Sequence, residues 1–401
     1  MLTVSHHAGF KNVGKILVIK LRHIGDVLLT VPVFRALREN FPDAHIAALV
    51  NSGTEEVLEG NPLIDEIVTF DRDIKKMNPL QRYIKELSFL KMIRGRRFDM
   101  TIELTGSDRG AVLSFVSGAR YRIGWKSKKG FTGKKYLYTH LSKPDKRSHI
   151  ILANLDVIKQ FGLSTENLSV DFNVPEKDRE WVRKILEENN SSSSRRSEHG
   201  TQGSGDIIVH VHPTSRWLFK CWKDEYMAEI IRWFLDKGIT VIVTSSPDKQ
   251  ELDKAKRILS LVLSRSSVHN SGLIDLCGKT TIKQLGAVSR AADLFFGVDT
   301  APMHIAAAVG TPVVAIFGPS FAFKWGPWDN GNSKFKLSQF QRNGVQAFGI
   351  HTVIQKDWDC VPCGKDNCRG GKIYKCLEEI GPGEIKGILT EKLRAQMVKN
   401  L

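Results

Sequence analysis

A chain of 401 residues with 41% hydrophobic content carries apolar material for two domains of ordinary size. No stretch approaches the roughly 20 uninterrupted apolar residues of a membrane span, since the best candidate, Ile305 to Phe317, is cut by Gly310 and Pro312. The formal charge is +16, and ten basic groups fall between Arg120 and Arg147 against the single acid Asp145. The run between Lys15 and Lys20 is short and lacks a small-residue cleavage site, so a cytoplasmic location is expected. In that setting the six cysteines are reduced thiols or metal ligands rather than disulfides.

In chain order, Lys15 to Leu21 forms an apolar strand, and Arg22-His23-Ile24-Gly25-Asp26 leads into a helix over about 26–40. Gly25 permits a tight turn, and Asp26 sits at the helix start, where the helix field favours a negative charge. An exposed carboxylate is thereby presented at the mouth of a parallel sheet; a plain helix N-cap is the alternative. Strands follow at 45–50, 66–70 and 99–104 with helices at about 53–59 and 79–94, an alternation that predicts a doubly wound α/β sheet. The helix from Pro79 places Leu80, Ile84, Leu87, Leu90 and Ile93 on one face. Packing on the sheet is its expected use, with a membrane-surface role as the alternative.

The basic stretch, which includes Lys126, Lys128 and Lys129, is interleaved with aromatic residues. It suits an anionic partner or an anionic membrane surface. A solvated loop is the plain alternative, and no nucleic-acid partner is expected because no nucleic-acid module accompanies the patch. Between Asn189 and Asp206 the sequence collapses to Ser, Gly and polar residues, which reads as a flexible linker or insertion between an N-terminal domain, 1–188, and a C-terminal domain, 207–401.

After the linker, strands are expected at 207–212, 239–244, 294–298 and 312–317, with helices at about 224–236, 248–263, 281–291, 302–309 and 383–399. Thr214 and Ser215 follow the first of these strands, and Arg216 and Lys220 add positive charge. Asp248 follows the second, as ribose-binding acids often do, with Glu251 as its rival one helical turn on. The run from Phe296 to Pro319 reads as strand, polar turn, small-residue helix and strand. That pattern sets Asp299, Thr300 and the first helical amides at a strand's carboxyl end, where α/β folds hold phosphate, and Pro302 fits the first helical turn. An ordinary capping turn, with Thr300 as the cap and His304 packed inside, is the alternative. Cys360, Cys363, Cys368 and Cys376 have C-x2-C-x4-C-x7-C spacing, open either to a structural zinc site or to metal-free thiols.

Three ordered motifs carry a resemblance to a known family: Ile24-Gly25-Asp26 with Pro32, then Pro213-Thr214-Ser215-Arg216 with Lys220 and Trp222, then Gly297 to His304. Together they resemble glycosyltransferase family 9, the lipopolysaccharide heptosyltransferases. The Thr214 to Trp222 stretch, Ala301 in the late turn and the cysteine cluster look most like the heptosyltransferase III branch. The resemblance implies a GT-B architecture of two Rossmann-like domains facing a cleft, with ADP-heptose as donor and no cofactor required. It implies an inverting transfer of L-glycero-D-manno-heptose to the inner core of lipopolysaccharide, a Kdo/heptose-lipid A acceptor, with Asp26 as general base.

The same resemblance places Thr214, Ser215, Arg216, Lys220 and the turn Thr300-Ala301-Pro302-Met303 at the donor diphosphate. Asp299, His304 and Asp248 fall at the donor sugar or nucleotide; Lys126, Lys128 and Lys129 are expected at the acceptor because the charge of their basic stretch suits an anionic one. It also implies peripheral attachment to the cytoplasmic face of the inner membrane and catalysis without a metal. A nucleotide-sugar epimerase on the same plan, or a non-catalytic nucleotide or polyanion binder, are the rival readings.

Overall fold

The computed structural model describes residues 9–126, 130–143, 145, 147–193, 207–264, 272–332, 337–368 and 374–399. The chain divides after Asn173 into two compact units. In the first, six strands, β1 (Lys15–Lys20), β2 (His45–Asn51), β3 (Glu66–Phe70), β4 (Met100–Glu103), β5 (Tyr121–Trp125) and β6 (His140–Ser142), form one parallel sheet ordered β3-β2-β1-β4-β5-β6.

The second unit holds β7 (Ile208–His212), β8 (Thr240–Ser245), β9 (Leu273–Cys277), β10 (Leu294–Val298), β11 (Val313–Ile316), β12 (Gln346–Phe348) and β13 (His351–Ile354). Their order is β12-β13-β11-β10-β7-β8-β9, parallel except for the edge hairpin of β12 with β13. Counted from β7 and without β12, this sheet repeats the 3-2-1-4-5-6 order of the first, the doubly wound nucleotide-binding arrangement. Each sheet therefore has a switch point, between β1 and β4 and between β7 and β10, where loops leaving the carboxyl ends of neighbouring strands open a crevice. The central strands are buried throughout, as in Ile16–Ile19 and Leu294–Val298, because helices cover both faces of a parallel sheet.

All eight expected strands form within two residues of their expected bounds. The helix expected over 26–40 is two helices, Ile24–Leu28 and Val31–Asn40. Pro32 in the first turn of the second cannot donate back to the preceding turn, which breaks the ladder there. Gly25 lies inside the first helix rather than in a turn, and the 53–59 helix is a single tight turn, Glu55–Val57.

The linker expected over 189–206 begins later, because a helix, Glu176–Ser193, runs through its first residues; 194–206 lie outside the described residues. That helix packs on the helix Ile282–Ala291 and buries Val182, so the unit boundary falls at Asn173 rather than at 188. The helix Pro79–Gly95 also departs from expectation. It packs on the sheet only through its last turns, with Ile93 buried and Phe89 and Leu90 partly so, while Leu80, Ile84 and Leu87 are exposed. Among the described residues no helix is long and apolar enough to cross a membrane.

Candidate functional site

In the second unit, β7 and β10 lie side by side with His212 opposite Gly297. A Cβ at Gly297 would come within 2.6 Å of the His212 carbonyl oxygen, so only glycine permits this approach. The pairing delivers Thr214 and Ser215 from one strand end and Asp299 and Thr300 from the other to the same switch-point crevice. There the Lys220 ammonium meets an Asp299 carboxylate oxygen at 2.7 Å, joining two motifs 79 residues apart. Asp299 is buried and Lys220 is partly open to solvent.

Thr214 is fully buried, and its hydroxyl donates to Glu251 at 3.0 Å. Burial pushes the Glu251 carboxyl above its ordinary range; the Thr214 hydrogen bond opposes that shift, nearby Asp248 adds to it, and Ser246 and Arg216 pull it back. Asp248 itself is exposed and caps the helix Lys249–Leu263 by accepting from the Gln250 amide at 3.0 Å. Of the two carboxylates weighed for the ribose, Asp248 is thus occupied by its helix and Glu251 is tied to the motif. Ser215 is buried, while Arg216 is exposed with its guanidinium 5.9 Å from the Trp217 ring.

Thr300 stands at the N-cap of the helix Ala301–Ala308 but makes no side-chain cap bond. The amides of that first turn, apart from Pro302, which has none, therefore keep their capacity for an anion. Ala301 and Pro302 are half-buried, and Met303 and His304 turn into the core.

Beneath the crevice runs a polar network that the sequence reading missed. His210 bonds Ser289 at 2.9 Å and Thr244 at 2.7 Å, and His212 bonds the same Thr244 hydroxyl at 2.8 Å. Burial holds both imidazoles neutral, lowering His212 to about 3. The available signal was two histidines inside a strand otherwise apolar on both faces.

In the first unit His23, not Asp26, is the N-cap of the helix Ile24–Leu28. Asp26 sits in its first turn, half-buried, with no hydrogen bond or ion pair to its carboxylate among the described residues. The surrounding loops are fixed by buried polar groups. Lys20 donates to the Leu104 carbonyl and to Asn154, both at 3.1 Å, and Asn154 donates to the Leu29 carbonyl at 3.2 Å. Across the switch point Glu103, fully buried, accepts from the Thr105 and Gly106 amides and from the Tyr138 hydroxyl at 3.1 Å. Burial raises the Glu103 carboxyl, and those three bonds offset part of the shift.

The basic stretch is not a loop, for it contains β5 and β6. Several of its charges hold structure: Arg122 donates to the Leu137 and Ala119 carbonyls, and buried Lys134 reaches the Gly106 carbonyl at 2.8 Å and Asp108 at 3.3 Å. Lys126 is exposed, whereas Lys128 and Lys129 lie outside the described residues. Cys360 and Cys363 are exposed, Cys368 is half-buried and Cys376 buried. Burial, reinforced by the other three thiols, pushes Cys376 up to about 11. Among the described residues no group of three or more His, Cys, Asp or Glu is placed to hold a metal ion.

The sequence profile of glycosyltransferase family 9 (heptosyltransferase) matches residues 86–347. The chain belongs to glycosyltransferase family 9. This family 9 member is 30% identical to lipopolysaccharide heptosyltransferase 3 of Escherichia coli over 324 residues, 80% of this chain and 88% of that one. Its fold matches the family 9 glycosyltransferase of Veillonella parvula at a TM-score of 0.70 and 22% identity, covering 95% and 97% of the two chains. It also matches E. coli heptosyltransferase WaaC, solved with ADP, at a TM-score of 0.65 and 17% identity, covering 94% and 99%. The architecture is GT-B and the enzyme is a glycosyltransferase; the epimerase and non-catalytic readings are set aside.

Proposed function

We propose that this enzyme transfers L-glycero-D-manno-heptose from ADP-heptose to the inner core of lipopolysaccharide, inverting the anomeric centre. The observation that supports this reading is the Lys220–Asp299 pair beside a helix start with no side-chain cap, which puts a cation and helix-start amides together at the switch point of the second sheet. In the reaction the acceptor hydroxyl oxygen bonds to the anomeric carbon, the bond from that carbon to the β-phosphate oxygen breaks, and the hydroxyl proton passes to Asp26. Lys220, Ser215 and the amides around Thr300 to Met303 stabilise the negative charge that develops on the leaving ADP.

Asp299, once Lys220 turns to phosphate, orients the heptose hydroxyls. Glu251, rather than the cap residue Asp248, is the better-placed ribose acid, because Thr214 ties it into the motif. Lys126, with Lys128 and Lys129, meets the carboxylates and phosphates of the anionic acceptor, which is presented at the cytoplasmic face of the inner membrane. The 30% identical relative supports both the heptose donor and the lipopolysaccharide acceptor.

The test is incubation with ADP-heptose and core acceptors truncated at successive sugars, with product mass and linkage determined. Asp26→Asn should cut transfer about 10²–10⁴-fold while leaving ADP affinity unchanged. Near-normal turnover in that variant removes Asp26 from the role, and absence of heptosylated product with every acceptor removes the reading.

A further inference from the structure

The helix Pro79–Gly95 presents two unlike halves. Its last turns pack on the first sheet, but from Pro79 to Lys85 every residue is exposed. Leu80, Tyr83 and Ile84 are 69%, 62% and 56% exposed, and with Leu87 they follow the i, i+3, i+4, i+7 spacing of one helical face. Hydrophobic groups in that pattern, left uncovered in a folded protein, mark a docking surface.

The topology says where the surface points. The helix follows β3 and leads back to the start of β4, so its exposed first half stands at the carboxyl edge of the sheet, the edge from which the Asp26 helix also departs. The segment that rims the same edge, fixed at Asp108 by Lys134, adds exposed Phe131 and Tyr136. Six basic side chains against two acids lie between Arg72 and Lys91, with Lys75, Lys76 and Lys85 exposed.

We propose that this half-helix inserts its apolar face into an anionic lipid surface and thereby turns the Asp26 edge toward the membrane. Apolar and tyrosine side chains flanked by lysines are what an interfacial helix needs, with the first entering the acyl boundary and the second pairing with headgroups. A second copy of the chain fits less well, because it would set one basic rim against another. The inference rests on the proposed lipid-linked acceptor, but its test does not.

Binding of the whole protein to vesicles of phosphatidylcholine, with and without phosphatidylglycerol, is read by co-sedimentation with neither donor nor acceptor present. Wild type should bind the anionic vesicles and lose part of that binding as salt rises. Leu80→Ser with Ile84→Ser should lower partition about tenfold or more at unchanged melting temperature, since neither residue is packed. Lys75→Glu with Lys76→Glu should lower it on anionic vesicles only. Equal partition of wild type and the serine variant overturns the proposal, as does a serine variant that changes only the self-association mass in sedimentation equilibrium. Transfer to a delipidated core oligosaccharide should be the same in wild type and the serine variant. If wild type itself fails there, the functional reading falls while the vesicle result stands.

Discussion

Lys220 and Asp299 each serve as a candidate donor contact, yet they are already bonded to each other, so a diphosphate must exchange places with the carboxylate. Lys220→Ala should weaken ADP binding and also cost on the order of 3 kcal/mol of stability, because it strands Asp299 with its side chain 4% exposed. Adding Asp299→Asn should restore the stability and not the affinity. Calorimetry with ADP and thermal melts separate the two effects, and a double variant no more stable than the single one would contradict the stranded-charge argument.

Deeper in the same crevice, His210 and His212 are neutral in the fold, while the unfolded chain takes up a proton at each near pH 6.5. Their contribution to stability is therefore complete above pH 6.5 and is lost as pH falls toward about 3 for His212, at up to roughly 1.4 kcal/mol per pH unit for each. His212→Asn should cost stability at neutral pH and progressively less in acid. Denaturant midpoints across that range report it, and a pH-independent gap would mean that the imidazole titrates alike in the folded and unfolded chains. At this scale the motif residues Lys220, Asp299 and Thr214 were legible because spacing brings them to strand ends. Glu103, Lys20 and the two histidines were not, because a titratable residue within an apolar run leaves hydrophobic periodicity unchanged.

Among elements, the strands that showed in the sequence are mostly those buried on both faces, whose apolar runs leave little choice, with the edge strand β3 as the exception. β5, β6, β9, β12 and β13 escaped because each is only three to five residues long and lies at or next to a sheet edge, and most carry polar or charged residues, as at Arg122, His140 and Asp275. The Asp26 helix was seen but misjoined to its successor, since periodicity carries across a break that only Pro32 betrays. The contact of β7 with β10 at Gly297 gives the sharpest test at this level. Gly297→Ala must push the new methyl group away from the His212 carbonyl, at a cost of about 1–3 kcal/mol. Since Asp299 is two residues on, ADP affinity should fall with the melting temperature; unchanged affinity would show that strand spacing does not set the crevice.

At the scale of the molecule, the boundary inferred from composition fell too late because a polar helix precedes the Ser-rich tract, and composition alone does not say which neighbour that helix belongs to. A fragment starting at Val174 should melt cooperatively and bind ADP. One starting at Ile207, without the helix Glu176–Ser193, should melt lower because it uncovers the helix Ile282–Ala291. Equal melting would assign the polar helix to neither unit. The repetition of one strand order in both units carries a consequence for how such enzymes diversify. Each half has its own sheet, core and crevice, so, on the proposed division of acceptor and donor between them, drift at the carboxyl edge of the first redirects which hydroxyl is glycosylated while nucleotide handling in the second is inherited intact. Asn173 is then the natural seam for recombination, and swapping first halves between relatives is the shortest route to a new linkage.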